Sequence, residues 1–204
     1  TETGRRQIVA SRAVVEKLLD SENPVYGIST GFGDLSRIWI SPAEREKLQR
    51  NLILSHAAGV GECLPEEVVR AAMLLRANSL AKGYSGIRLE TMEMLLAMLN
   101  RRVYPAVPSK GSVGASGDLS PLSHIALVMM GEGKAFVRGE RVPGATALAA
   151  VGLQPVAFGG KEGLALINGT QIMTAVGALV WQDAAELMKA ADIAAAMSLE
   201  ALRG

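Results

Sequence analysis

From Asn168 the chain reads NGTQIMTAVGALVWQDAAELMKAADIAAAMSLEAL, a run that reaches Leu202. Ala, Leu and Met dominate it, and Ile172, Val176, Leu179 and Leu187 form one apolar face. Asn168-Gly169-Thr170 leads into the pattern. One helix of about thirty residues would be ~45–50 Å long, beyond the usual globular range and typical of a bundle. Its apolar face needs partners, and the residues up to Gly204 do not supply them. With the start at Thr1 rather than Met, the expectation is an amino-terminal piece of a longer protein.

Upstream, the helical signals are shorter. Ser11 is placed to cap a helix to Leu19, followed by a turn at Asn23-Pro24. Ser41-Pro42-Ala43-Glu44 has the capping-box pattern, and Leu48, Leu52 and His56 then share one stripe until Gly59 and Gly61. Pro65-Glu66-Glu67 starts a helix towards Leu80, stopping near Gly83, and Ser85 is placed to cap another to Asn100. Tyr104 to Ser120 carries too many breakers for a helix or a central strand. Ser120-Pro121 restarts a helix to Gly131, and Phe136 to Val142 resembles a small hairpin. A second glycine-rich loop spans Gly159 to Gly163. The fold class expected is mainly α: a helical bundle with a long central helix, a loop-rich amino-terminal domain over 1–165, a minor β-hairpin, and the start of the bundle over 166–204.

Composition narrows the function. Of 204 residues 49% are apolar, enough for a real core, and Lys+Arg 21 against Asp+Glu 20 leaves a net charge of +1. The densest basic points are the doublets Arg5-Arg6 and Arg101-Arg102, so no nucleic-acid partner is expected. No apolar stretch is read as approaching the roughly 18 residues of a bilayer span, and no signal-peptide pattern opens the chain. Cys63 is the one cysteine and reads as a small buried hydrophobe; with only His56 and His124 as imidazoles, no structural metal is expected. Met73, Met92, Met94 and Met98 read as core filler, and the charges Glu44, Arg45, Glu46, Lys47 and Arg50 as a solvated helix face. The expected address is a reducing compartment, the cytoplasm.

Common catalytic motifs do not fit. Gly111, Gly114 and Gly117 lack dinucleotide spacing, Gly133-Lys134 is followed by Ala135, and Asp118 stands where a nucleophile elbow needs glycine. The loop Ala115-Ser116-Gly117 permits rarer chemistry. If it bends tightly, the amide nitrogen of Gly117 can attack the carbonyl carbon of Ala115, because glycine brings no Cβ to the approach. Loss of water, including the Ser116 hydroxyl, would leave a five-membered ring with an exocyclic methylidene. Taken alone, the motif reads more readily as a Gly/Ser turn ahead of a helix; a serine amidase using Ser116 is a further reading.

Gly111-Ser112-Val113-Gly114-Ala115-Ser116-Gly117-Asp118-Leu119-Ser120-Pro121-Leu122-Ser123-His124 resembles the signature of the aromatic amino-acid ammonia-lyases. Three further segments match in order: Tyr26-Gly27-Ile28-Ser29-Thr30-Gly31-Phe32-Gly33, Leu54-Ser55-His56-Ala57-Ala58-Gly59 and Ile167-Asn168-Gly169-Thr170-Gln171. Ser29, Ser120 and Ile167 depart from the commoner Asn, Ala and Leu without touching a reacting atom. The resemblance implies that Ala115-Ser116-Gly117 becomes a 4-methylidene-imidazol-5-one (MIO), the only cofactor, whose electrophilic carbon derives from Ser116. It implies removal of ammonia and a β-proton from an α-amino acid. Tyr26 is then the base, although an unperturbed tyrosine pKa is about 10 and must be lowered. Asn168 is implied as a ring-side donor, and a helix N-terminus, that after Ser120-Pro121, as a stabiliser of developing negative charge.

Ser55-His56 resembles the histidine-specific branch, which makes His56 the substrate-binding residue and urocanate the product. Asp118 is implied in ring formation, with capping of the following helix an alternative, and His124 in packing or support. Other substrates within the family, phenylalanine or tyrosine, an aminomutase, and a non-catalytic helical unit stay open. The resemblance also implies a homotetramer with sites shared among subunits, so the isolated segment is expected to be inactive.

Overall fold

The computed structural model describes residues 1–21, 24–31, 33, 38–114 and 117–204. Asn23, Phe32, Ala115 and Ser116, singled out above, lie outside the described residues. The first helix, α1, spans Glu2–Leu19, earlier than expected, because the Thr1 side chain accepts from the Gly4 amide and caps it. Ser11 is inside that helix and caps nothing; its Oγ accepts from the Gly86 amide at 3.0 Å.

Ser41 and Glu44 do not close the capping box. Their side chains bond each other at 2.8 Å, and a 3-10 turn over Pro42–Glu44 leads into α2, Arg45–His56. Then come β1 (Val60–Cys63), α3 (Glu66–Leu80), α4 (Leu89–Asn100), β2 (Tyr104–Pro105), β3 (Pro108–Lys110) and α5 (Leu119–Met129). Helix α4 starts at Leu89 with Arg88 as its cap residue, so Ser85 is not the cap. Strand β4 (Lys134–Val137) and β5 (Glu140–Pro143) make the expected hairpin, with Arg138 and Gly139 both at positive φ (53° and 84°), as a two-residue turn of this hand requires. Helices α6 (Gly144–Ala149), α7 (Glu162–Ile167) and α8 (Gln171–Ala201, 31 residues) complete the chain.

The fold is mainly helical, as the pattern implied. The core joins α2, α3, α4, α5 and α7 through Ile53, Met73, Leu80, Leu95, Met98, Leu122, Met129 and Ile167, all nearly inaccessible. Each such side chain contributes about 1.5–3 kcal/mol by leaving water. The four methionines named above are buried there. Among the described residues, two small antiparallel sheets lie beside the helices, one pairing β1 with β3 and one ordered β2-β4-β5. Strand β1 was not anticipated: Gly61 bulges at φ 93° and the register shifts between Val60 and Cys63, so no clean alternation exists to read. Cys63 is half-buried rather than buried, because it sits on that two-stranded edge.

Only the start of α8 is core: Gln171, Ile172 and Ala175 are buried, while Trp181, Leu187, Met188, Ile193 and Met197 are exposed. The expectation about apolar stretches is corrected here. By length and composition, the helical segment Glu162–Ala201 suffices to cross a bilayer, with mean hydropathy 1.5. Residues 163–182 carry no Asp, Glu, Lys or Arg; interspersed Gly, Asn, Thr and Gln disguise the run. A helix that is apolar because it is packed in protein meets the same criterion.

Candidate active site

The glycine loop is closed by two backbone hydrogen bonds. The Gly117 N–H donates to the Gly114 carbonyl at 2.9 Å, and the Val113 N–H donates to the Gly117 carbonyl at 3.1 Å. A Cβ on Gly117 would meet Val113 Cγ2 at 2.3 Å and its Cα at 3.2 Å, so the close return of the chain depends on glycine.

Asp118 follows the loop and is wholly buried. One carboxylate oxygen accepts from Ser112 Oγ, and the other accepts from the amides of Ile172 and Met173 at 2.8 and 3.0 Å. Its side chain makes no capping bond to α5, although α5 begins at the next residue. It therefore caps α8, not the following helix. Two helix N-termini meet at this carboxylate, and the loop hangs from one of them. Positive potential from both favours an anion there.

Asn168 is exposed and leaves α7 in an extended conformation (φ −84°, ψ 100°), its amide still bonded to the Leu164 carbonyl. Thr170 and Gln171 then open α8. Arg76 of α3 lies beneath this junction. It donates to the Ala165 carbonyl and, at 2.9 Å, to Gln171 Oε1. Burial pulls its pKa down to about 10.

His56 ends α2, half-buried. Its Nδ1 is 2.9 Å from the Leu52 carbonyl and 3.1 Å from Ser55 Oγ. A carbonyl only accepts, so Nδ1 carries the proton and a neutral ring presents Nε2 as acceptor. The following segment is pinned against the glycine loop. A Cβ on Gly59 would lie 3.1 Å from His124 Nε2 and 3.4 Å from the Lys110 carbonyl, and one on Gly111 would lie 3.4 Å from Gly59 Cα. Burial lowers the His124 pKa below its ordinary 6.5, and its Nε2 has no partner among the described residues.

Tyr26 stands apart. It is 57% exposed on a turn whose Ile28 packs against Val15 and Leu19 of α1, a cluster separate from the main core. Three of the four motif segments thus converge: residues 54–59 meet 110–111, and 112–118 are tied to the start of α8.

The reading of motifs missed Arg76 and Glu162, and gave Gln171, the last residue of the fourth motif, no role of its own. Glu162 is completely buried and accepts from Arg88 N and Nε at 2.9 and 2.7 Å, Thr91 Oγ1 at 2.6 Å and Gly159 N at 2.7 Å. Arg76 and Glu162 carry no motif spacing; an arginine or glutamate on a helix otherwise rich in apolar neighbours was the available signal. Among the described residues no group of His, Cys, Asp and Glu is arranged to hold a metal. A cavity of about 570 Å³ lined by Cys63, Tyr104, Arg102 and Phe136 shares no residue with these segments.

Comparison with known proteins gives the family and the fold. The whole chain, residues 1–204, matches the aromatic amino acid lyase family. Histidine ammonia-lyase of Alkaliphilus oremlandii is 57% identical over 204 residues, all of this chain and 40% of that protein. The crystal structure of histidine ammonia-lyase from Trypanosoma cruzi superposes with a TM-score of 0.93 at 44% identity, covering all of this chain and 39% of the other. Phenylalanine aminomutase of Pantoea agglomerans gives 0.88 at 36% identity, covering 93% and 36%. The chain belongs to the aromatic amino acid lyase family. It spans about 40% of the length of the relatives it matches.

Proposed function

We propose that the protein containing this chain is a histidine ammonia-lyase, which eliminates ammonia from L-histidine to give urocanate. The observation that carries the reading is the tie from Asp118 to the first turn of α8, which sets the Gly114–Gly117 turn beside the segment bearing Asn168. Residues around 115–116 fit an MIO: the flanking glycines hold a closed turn that a Cβ would oppose, and Asp118 anchors its exit. Such a group, made from Ala115-Ser116-Gly117, would supply an electrophile for the substrate amine, with no metal needed.

The chain's own residues divide the remaining work. Asn168 donates a hydrogen bond beside the electrophile, and the two helix N-termini at Asp118 oppose the cost of negative charge nearby. His56 Nε2 accepts from the substrate imidazole N–H, a bond whose absence would leave a polar group unpaired for phenylalanine. Tyr26 takes the β-proton. Its segment packs on α1, and the site is completed between copies in a homotetramer. Residues 1–165 form the domain bearing the electrophile and 166–204 start the helical bundle; the exposed face of α8 is where that bundle closes. A cytoplasmic address and the absence of nucleic-acid and membrane partners complete the reading.

A phenylalanine- or tyrosine-specific lyase or an aminomutase is the second reading, favoured by the close superposition on an aminomutase. Incubating the full-length protein with His, Phe and Tyr separates them. Urocanate is the expected product; cinnamate without urocanate would overturn the histidine assignment.

A further inference from the structure

We propose that Arg76 is a positioning residue for Asn168, acting through the end of α7 and the first residue of α8; this rests on the proposed function above. Arg76 is 6% exposed, and no ion pair among the described residues neutralises it. Its fork reaches two points on either side of Asn168: the Ala165 carbonyl, three residues before, and Gln171 Oε1, three residues after. Gln171 is itself held at both ends, because its Nε2 donates to Ser79 Oγ at 3.2 Å. Arg76 and Ser79 lie one turn apart on α3, so a single helix face fixes the amide.

Between the two grips the chain is pressed onto the guanidinium. A Cβ on Gly169 would fall 2.3 Å from Arg76 Nη1 and 2.1 Å from Gln171 Oε1. Neither atom is free to swing away, since each is bonded to the other. A cation buried without a carboxylate is costly, and an apolar side chain of similar length would fill the space with less penalty. What the apolar residue cannot do is tie a helix C-terminus to the next helix's first side chain. The fork thereby sets the direction in which the exposed Asn168 leaves α7. The same α8 turn carries Asp118's two amide bonds, so the glycine loop and Asn168 share one post.

The test is a double-mutant cycle in the full-length protein with R76Q, N168A and both, measuring kcat per subunit whose mass shows a formed ring. Displacing an orienting group costs about 10- to 100-fold, and R76Q is expected to lower kcat by that factor with KM within a few-fold. In the N168A background the same change is expected to add little, since the group it orients is gone. Amide exchange in residues 168–170 is expected to quicken in R76Q. If R76Q fails to fold, R76K takes its place: it keeps the charge but lacks the fork, and the same loss is expected. An equal loss in both backgrounds, or unchanged kcat, overturns the proposal while leaving the lyase reading intact. No turnover by the wild-type protein with any amino acid overturns both.

Discussion

The carboxylate of Asp118 accepts from the backbone amide of Ile172 at 2.8 Å, across 54 residues of sequence. One side chain therefore ends the glycine loop and caps the longest helix of the chain. The loop's position is set by α8, and α8's first turn is set by the loop. Orphan amides at a buried helix start need such a partner.

Replacing Asp118 with Ala is expected to destabilise the protein by about 2–3 kcal/mol, the sum of a lost cap and buried donors left unpaired. D118N retains one acceptor oxygen and should cost about 1 kcal/mol. Urea unfolding midpoints measure both. Equal stability of D118A and wild type would mean that α8 is capped by something else.

Gly169→Ala tests the packing at the other end of the same turn. The added methyl meets two atoms already bonded to each other, so overpacking of about 1–3 kcal/mol is expected. A wild-type unfolding midpoint for G169A would show that Arg76 and Gln171 yield without cost.

Glu162 is predicted to matter for stability. Its carboxylate satisfies Arg88, Thr91 and the Gly159 amide in a site without solvent. E162A leaves the guanidinium and these donors unanswered. Removing one partner of a buried pair costs roughly 3–5 kcal/mol; Arg88 retains partial solvent access, which favours the lower end. A loss under about 1 kcal/mol in chemical denaturation would contradict the assignment of Glu162 as a structural hub.

A pH dependence follows from His124. Burial depresses its folded pKa below 6.5, so the unfolded chain binds the proton more readily than the native one. The stability associated with the neutral ring is complete above pH 6.5 and is lost as pH falls below it, through the depressed folded value. H124Q, which cannot titrate, should show a shallower fall in unfolding free energy between pH 7 and 5. Parallel profiles for H124Q and wild type would remove His124 as the source.

Much of this architecture is legible in the residues. The run after Thr170 announces α8, and breakers between Tyr104 and Ser120 exclude a long element there. Element starts are less legible, because Ser11 and Ser85 have cap chemistry yet spend it or lose it in tertiary contacts: Ser11 binds Gly86, and α4 begins later. Strands β1 and β3 are too short and irregular to leave a period of two. At the site, motif spacing points to the loop, His56 and Asn168, but it cannot reveal that Asp118 reaches α8 rather than its own helix. Arg76 is invisible locally, and the role of Gln171, though it ends the fourth motif, arises only when α3 is laid under the α7–α8 junction.

The most direct measurement is the mass of the peptide carrying Ala115-Ser116-Gly117 in the intact full-length protein. The account predicts a species lighter than the encoded sequence by two water molecules, one from ring closure and one from dehydration. An unmodified linear mass in protein that still deaminates histidine would contradict it.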